Sequence, residues 1–451
     1  MVAHLHLPLM STRRSAKSLR HVPLIRVAVV GAVLAACSAA PSATTSSVPP
    51  ESSAPNVPSV RADDGILRIG ILLPASGEGA AIGQSARAAV RVAVAQANAN
   101  GGVHDRPVEL VIRDEGSDAA SAAASFQELV DSQVDVMVGP ASSNVAISLA
   151  STIASSGIAA CSPSASTLAL DNIPSRSMLF RTIASDSLQA EAMAEAIEQT
   201  GSKTAAITFV DDGYGRPFAQ ALQLALGRRS IKVSGFAGFA VDDDEFAPEA
   251  KALVASQPDA IALIGDADAG SRMLVALAQA TDAKPRDIVV NDALRRPMSI
   301  GVLGSIAPAV LAKLVGVSQN VVTANNTGDT GKLLVEIERL TTESATGLFA
   351  TQAFDCANLF MLAAIQSGST RADLIADEVG AVSVGGSACL SFIACANLLA
   401  DGRNIDYDGP GGLLQLGANG DPSTAVFEEF TFDAGGRDIR RLPITVVAGG
   451  G

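Results

Sequence analysis

The sequence predicts an α/β protein made of two doubly wound parallel-sheet lobes, and three observations carry that reading. From Ile66 onward, short apolar runs rich in β-branched residues alternate with helix-like stretches, which is the signature of βαβ units. Ala, Val, Ile and Leu dominate a chain with only 4% aromatic residues and no Trp, a composition that suits strands buried on both faces by helices. At 451 residues the chain is too long for one ordinary domain, and the alternation runs to about Arg181 and then starts again.

The first series opens with the strand "ILRIGILLP". The glycine-rich loop "ASGEGAAIG" follows, then an Ala-rich helix over about 84–98. "GGVHDRP" turns the chain into the strand "VELVIRD". A helix over about 119–132 leads into "VDVMVGP", and another over about 144–155 leads into "GIAACSP". The second series begins with the helix "LQAEAMAEAIEQTG", stopped by Gly201. Strand "KTAAITFVDD", helix "RPFAQALQLALGRR", strand "IKVSGFAGFA", helix "EFAPEAKALVASQP" and strand "DAIALIGD" follow, and "AGSRMLVALAQA" with "RDIVVND" repeats the pattern. The last third is less regular. "TGKLLVEIERLTTE" and "ATQAFDCANLFMLAAIQSG" read as helices, and "NIDYDGPGGLLQLGANGDPSTAVFEEFTFDAGGR" as a turn followed by strands or a hairpin.

The N-terminus has a different character. Residues 27–36 form an apolar run too short to span a bilayer, preceded by Arg13, Arg14, Lys17, Arg20 and Arg26 with no acidic residue. A basic stretch, an apolar stretch and small residues predict a signal peptide over 1–36, with Met1 and Met10 equally good starts. It ends in Leu34-Ala35-Ala36-Cys37, which resembles the lipobox of bacterial lipoproteins. That resemblance implies that Cys37 is lipidated and holds the exported protein to the outer face of the cell membrane; the alternative is an ordinary cleaved signal with a chance cysteine. Residues 37–62 read as a Ser/Thr/Pro-rich tether that cannot bury enough apolar surface to fold.

Without residues 1–36 the formal charge moves from −14 to −19, which argues against a nucleic-acid partner. Of the four histidines only His104 remains, in a polar turn. A histidine-rich metal site is thereby excluded and the usual general base nearly missing, so neither an enzyme, a metal nor a cofactor is expected. Cys161, Cys356, Cys389 and Cys395 make an even set in an exported chain, where disulfides form. The closeness of Cys389 and Cys395 favours that pair; Cys161 and Cys356 are read either as a second pair or as reduced core residues.

Ligands of open parallel sheets bind beyond the carboxyl ends of strands. Three loops of the first series stand there. "SGEGAAIG" carries Gly77, Gly79 and Gly83, with Asp114 ending the next strand, but its spacing departs from the dinucleotide fingerprint. "GPASSNVA" puts Ser142 and Ser143 at a helix head, where free N–H groups and the dipole favour an anion. "CSPSASTLAL" puts Ser164 and Ser166 at a short helix start. The serines either converge on one carboxylate or merely cap their own helices.

"ILRIGILLPASGEGAAIG", "NANGGVHDRPVELVIRDEGSDAASA", "VGPASSNVA", "CSPSAS", "FRTIASD", "VDDGYGR", "VNDAL", "ATQAFDCANLFMLAA" and "IDYDGPGGLLQLGANGD" occur in one order. In that order the chain resembles the branched-chain amino-acid-binding family of substrate-binding proteins for ABC importers, over about 66–432. The resemblance implies a type I periplasmic-binding fold, with three crossovers and a ligand clamped in a cleft. Lobe one is then expected over 66–182 and 316–410, and lobe two over 183–315 and 411–451. It implies that Ser143 binds a ligand carboxylate, that Ser164 offers a backbone carbonyl to the ammonium, and that Ser166 uses its hydroxyl and N–H. It further implies that Tyr214 is a cleft aromatic and that Asp292 pairs with the ammonium. Ile82 and the Asp266-Ala267-Asp268 stretch stand where the family has aromatics, so the backbone clamps survive while the aromatic walls thin out. Arg295 and Arg296 are read as a solvated loop, with contact to a second anionic group as the alternative. The expected partners are an amino-acid-like small molecule, an ABC permease and, through the lipid, the membrane. A sensor of the same fold is the second reading and an exported hydrolase the third.

Overall fold

A computed structural model describes residues 63–77, 79–173, 178–243, 245–266, 268–281, 286–295, 303–319, 329–341, 347–433 and 438–447. The signal peptide, Cys37 and the tether lie outside the described residues, as do Arg296 and Ala267. None of the described helices is long and apolar enough to cross a membrane.

Five strands form the first sheet: β1 (Arg68–Leu73), β2 (Glu109–Asp114), β3 (Val136–Val138), β4 (Ala159–Ser162) and β5 (Leu179–Arg181). They are parallel throughout, in the order β2-β1-β3-β4-β5. Each crossover is a helix: α1 (Ala80–Ala99), α2 (Ala119–Asp131) and α3 (Ser143–Ser156). Burial on both faces explains the unbroken apolar runs of β1 and β3. One face packs against α1 and the helix Ala350–Ser367 through Ile71, Val138, Ala89 and Phe360; the other packs against α2 and α3 through Leu72, Met137, Phe126 and Leu149.

The second sheet comprises β6 (Thr204–Val210), β7 (Lys232–Phe239), β8 (Ala260–Ile264), β9 (Asp287–Val290), β10 (Leu314–Gln319), β13 (Thr424–Phe432) and β14 (Asp438–Val447). Its order is β14-β13-β10-β9-β8-β6-β7, parallel from β10 to β7, with β13 antiparallel to β10 and β14. Helices α4 (Asp186–Gln199) and α5 (Gly215–Arg228) cover one face, and α6 (Ala247–Ala255) and α7 (Ala269–Thr281) the other. A small parallel pair, β11 (Ser387–Cys389) and β12 (Ile405–Tyr407), sits with the first sheet's core.

The chain passes between the sheets after β5, after β10 and before β13. This is the α/β architecture of two mainly parallel sheets that the sequence predicts. β10 belongs to the second sheet through Gln319, past the expected boundary at 316, and Leu414 and Leu416 pack with the first core, past 411. Helix α1 begins a turn before the predicted start. It does so because Gly83 lies against the loop after β1, where a Cβ would fall 1.8 Å from the Pro74 carbonyl oxygen.

Two disulfides join the described cysteines, Cys389–Cys395 and Cys161–Cys356. The second ties β4 to the helix Ala350–Ser367, which enters after the second passage between sheets. The reading of these two as reduced core thiols is thereby corrected: both are buried, and both are bonded.

Candidate functional site

All five candidate residues stand at carboxyl ends of strands. Ser143 opens α3 after β3; Ser164 and Ser166 follow β4; Tyr214 precedes α5 after β6; and Asp292 begins a short 3-10 turn after β9. On the first sheet the loops after β3 and β4 are fastened together. The Ser164 hydroxyl donates to the Ala141 carbonyl at 2.9 Å, and the Ser162 hydroxyl to the Pro140 carbonyl at 2.5 Å. Gly139 makes this close packing feasible, since at φ 120° a side chain there would strike the Leu72 carbonyl.

The head of α3 is not an open anion site along its whole length. Glu115, fully buried at the end of β2, accepts from the Ala141 and Ser142 N–H groups at 2.7 and 2.8 Å. Burial pushes its carboxyl up to about 7, against the pull of those two bonds. Sequence reading missed Glu115. Its side chain reaches α3 only because β2 and β3 flank β1 in the folded sheet.

Asp114 likewise has a structural partner set. It accepts from the Ala75 N–H, the Gly116 N–H and the Ser76 hydroxyl, at 2.6, 2.9 and 2.8 Å, and so fixes the glycine-rich loop. A dinucleotide fingerprint would leave that acid for a ribose.

On the second sheet, Asn291 is fully buried and joins two loops. It donates to the Tyr214 hydroxyl at 2.8 Å and exchanges bonds with the Gly265 backbone at 3.0 Å. Asp212 caps α5 through the Tyr214 and Gly215 N–H groups. Asp266, at a position where an aromatic is expected, caps α7 through the Asp268 and Ala269 N–H groups. Between the two sheets' loops, Asn144 donates to Asp212 at 3.1 Å and the Thr167 hydroxyl to the Gly213 carbonyl at 2.9 Å.

Arg295 corrects the sequence reading of a solvated loop. It is 5% exposed, donates to the Ser318 hydroxyl at 2.7 Å and to Glu428 at 2.6 Å, and stacks 4.7 Å over the Phe430 ring. β10 and β13 lie beside the 3-10 turn and supply these partners, so the guanidinium is spent within the second sheet's own packing.

The most informative residue is one that sequence reading did not single out. Asp186 is the first residue of α4, fully buried, and among the described residues no donor stands in good hydrogen-bond geometry to either carboxylate oxygen, although the Ser166 side chain is near enough to favour the carboxylate. Its backbone N–H is fixed by the Ser166 carbonyl at 2.8 Å. Burial pushes its carboxyl well above the ordinary range, and the negative charge of Asp292 adds to that; Ser166 and Arg181 pull the other way. Thus Ser166 from the first sheet's loops and Asp292 from the second sheet's loops both lie within electrostatic reach of one sealed carboxyl.

Arg181 holds this arrangement together. It is fully buried at the end of β5 and binds Asp421 through two 2.6 Å bonds and Asp171 through a third. It also donates to the Ala165 and Thr167 carbonyls at 3.2 and 2.9 Å, on either side of Ser166. A strand-end Arg in "FRTIASD" was visible, but its partner Asp421 lies 240 residues away in sequence.

The sequence matches the periplasmic binding protein family over residues 66–421. It is 29% identical over 383 residues to a chemotactic signal transduction system substrate-binding protein, BasB, of Halobacterium salinarum, covering 82% of this chain and 88% of that one. Its fold is similar to that of the branched-chain amino acid transporter substrate-binding protein LivJ from Streptococcus pneumoniae, solved with isoleucine. There the TM-score is 0.65 and the identity 20%, covering 85% of this chain and 99% of the other. It is also similar to a solute-binding protein of an ABC transporter from R. palustris solved with benzoate, with a TM-score of 0.67 and 18% identity, covering 85% and 97%.

Proposed function

Because the chain belongs to the periplasmic binding protein family, and is therefore a binding protein and not an enzyme, we propose that it captures an amino-acid-like ligand for an ABC importer. The ligand sits between the loops of the two sheets, with its carboxylate toward Ser143 and Ser166 and its ammonium toward Asp292 and Asp186. Ser164 offers a backbone carbonyl to the ammonium, and Tyr214 lines the second-sheet side. The lobes follow those drawn from the sequence with two boundaries moved: β10 through Gln319 goes with the second sheet, and the chain through Leu416 with the first. Closure of one lobe on the other sequesters the ligand and creates the form a permease recognises. Lipidated Cys37 holds the protein on the outer face of the membrane, and residues 37–62 give it reach.

The observation that carries this reading is the sealed Asp186 carboxyl, which the negative charge of Asp292 further disfavours in its ionised form. Two carboxyl groups within electrostatic reach of each other favour a cation and disfavour a ligand that offers only an anion there. That separates an amino acid bound like the isoleucine of the S. pneumoniae protein from an aromatic acid bound like the benzoate of the R. palustris protein. The test is calorimetry with amino acids, their amides and their deaminated analogues. Amino acids should bind, and analogues lacking the amine should not. Tight binding of benzoate or of a neutral sugar, unaffected by Asp292→Ala, would refute the ammonium site.

A second reading, ligand sensing without transport, is supported by the similarity to the chemotactic binding protein. Neighbouring permease and ATPase genes, and loss of labelled amino-acid uptake on deletion, distinguish the importer component from the sensor.

A further inference from the structure

The charges around Asp186 create a problem that a ligand's ammonium solves only in part. Asp186 has no exposed surface, and among the described residues no donor stands in good hydrogen-bond geometry to either oxygen, the nearby Ser166 side chain included. An ionised carboxylate so placed costs several kcal/mol unless something pairs with it. Among the described residues, the cation that acts on it is Arg181, whose Nε and Nη2 donate to Asp421, Nη2 also to Asp171, and Nη1 to the Ala165 and Thr167 carbonyls. The remaining charged groups that act on it are Asp292, from the 3-10 turn after β9, and Asp171, from the loop after β4, and both are acidic.

Resting on the amino-acid reading above, we propose that the site exchanges a proton for its ligand. Asp186 is protonated while no ligand is bound. When the ligand's ammonium arrives, the Asp186 O–H bond breaks, the proton leaves to solvent, and the carboxylate so formed pairs with the ammonium. One proton is released per ligand bound, and no covalent bond to the ligand forms. The raised pKa of Asp186, caused first by burial and then by Asp292, agrees with this order of events. A ligand without the ammonium has no means of releasing that proton, so the exchange also makes the site discriminate for protonated amines.

The exchange has a definite sign. Between about pH 5 and 7 the ligand's own ammonium and carboxylate keep their charges. Affinity should therefore rise with pH by up to tenfold per unit, following the loss of one proton. Glu115 is the competing group, since its carboxyl is pushed up to about 7 at the head of α3. A ligand carboxylate arriving there would favour protonation of Glu115 and make affinity fall with pH, so Glu115→Gln removes the opposing effect.

The experiment is calorimetry of the parent, Glu115→Gln and Asp186→Asn with L-leucine, L-isoleucine, L-threonine and L-alanine. It is run in succinate and in bis-Tris, which buffer in this range and whose ionisation enthalpies differ widely, from about pH 5 to 7. The expected result is close to one proton released per ligand in Glu115→Gln, with affinity rising toward tenfold per pH unit, and a smaller net release and shallower rise in the parent, where uptake at Glu115 offsets part of it. Asp186→Asn should bind more weakly with no such dependence. Should Asp186→Asn fold poorly, the parent and Glu115→Gln still decide the matter. Binding with a buffer-independent enthalpy and flat affinity in Glu115→Gln overturns the proton exchange alone. Failure of all four amino acids to bind overturns the amino-acid reading and the exchange with it.

Discussion

Replacing Arg181 with Met removes the cation that binds the end of β5, the loop bearing Ser166 and the chain before β13. Arg181 is fully buried, and Asp421 is 3% exposed. Two 2.6 Å bonds join them, and a third holds Asp171. Met fills similar space but leaves Asp421 charged and deprived of its guanidinium. Breaking one side of a buried pair in this way costs about 3–5 kcal/mol, mostly the penalty of the stranded charge. With a urea slope of about 3 kcal/mol/M, the unfolding midpoint should fall by roughly 1 M or more. Arg181→Met combined with Asp421→Leu strands neither partner and should regain a large part of the loss, giving a coupling energy above about 1 kcal/mol in a double-mutant cycle. Because Arg181 also donates to the Ala165 and Thr167 carbonyls, ligand affinity should fall in the single variant even where it stays folded. A midpoint shift below about 0.3 M, or losses that simply add in the double variant, would refute the view that this pair organises the site.

Further outcomes follow from the disulfides, a buried acid and the N-terminus. Replacing both Cys161 and Cys356 with Ala should lower stability by about 5 kcal/mol, because their separation of 195 closes a long loop; opening Cys389–Cys395, with a separation of 6, should cost about 2 kcal/mol. Urea unfolding of the two double variants checks the ranking, and equal losses would contradict it. Asp355 is fully buried and accepts from the Tyr407 hydroxyl and the Gly411 N–H, both at 2.8 Å, and burial pushes it up to about 8. Its folded value lies above its ordinary 3.8, so its contribution is full below that value and fades as pH rises toward 8. Asp355→Asn should flatten this fall when midpoints are compared across that window, and an unchanged slope would sink the assignment. Cys37→Ser should abolish incorporation of labelled fatty acid and release the protein from membranes; unaltered fractionation would argue against the anchor.

The architecture was legible because its signals are local. Apolar runs such as "AIALI" and helix patterns such as "FAQALQLAL" identify themselves within a few residues, and Gly201 marks a stop. The loops that carry the site were legible for the same reason, since each candidate follows a strand. What was not legible depends on neighbours far away in sequence. Asp186 follows Ser185 and looks like an ordinary first-turn acid; only the folded loops seal it from donors. Glu115 reaches α3 across β1, Arg181 meets Asp421 at a separation of 240 residues, and Arg295 is buried by β10 and β13. Asp266 replaces an aromatic wall with a helix cap, a use that the identity of the residue permits but does not dictate.

A crystal structure of the protein with a bound amino acid, such as L-leucine, tests the central claim most directly. The ligand is expected between the loops of the two sheets. Its ammonium should lie about 3 Å from carboxylate oxygens of Asp186 and Asp292, and its carboxylate should lie against Ser143 and Ser166. A ligand in the reverse orientation, with its carboxylate toward the two aspartates, or one bound outside this cleft, would contradict it.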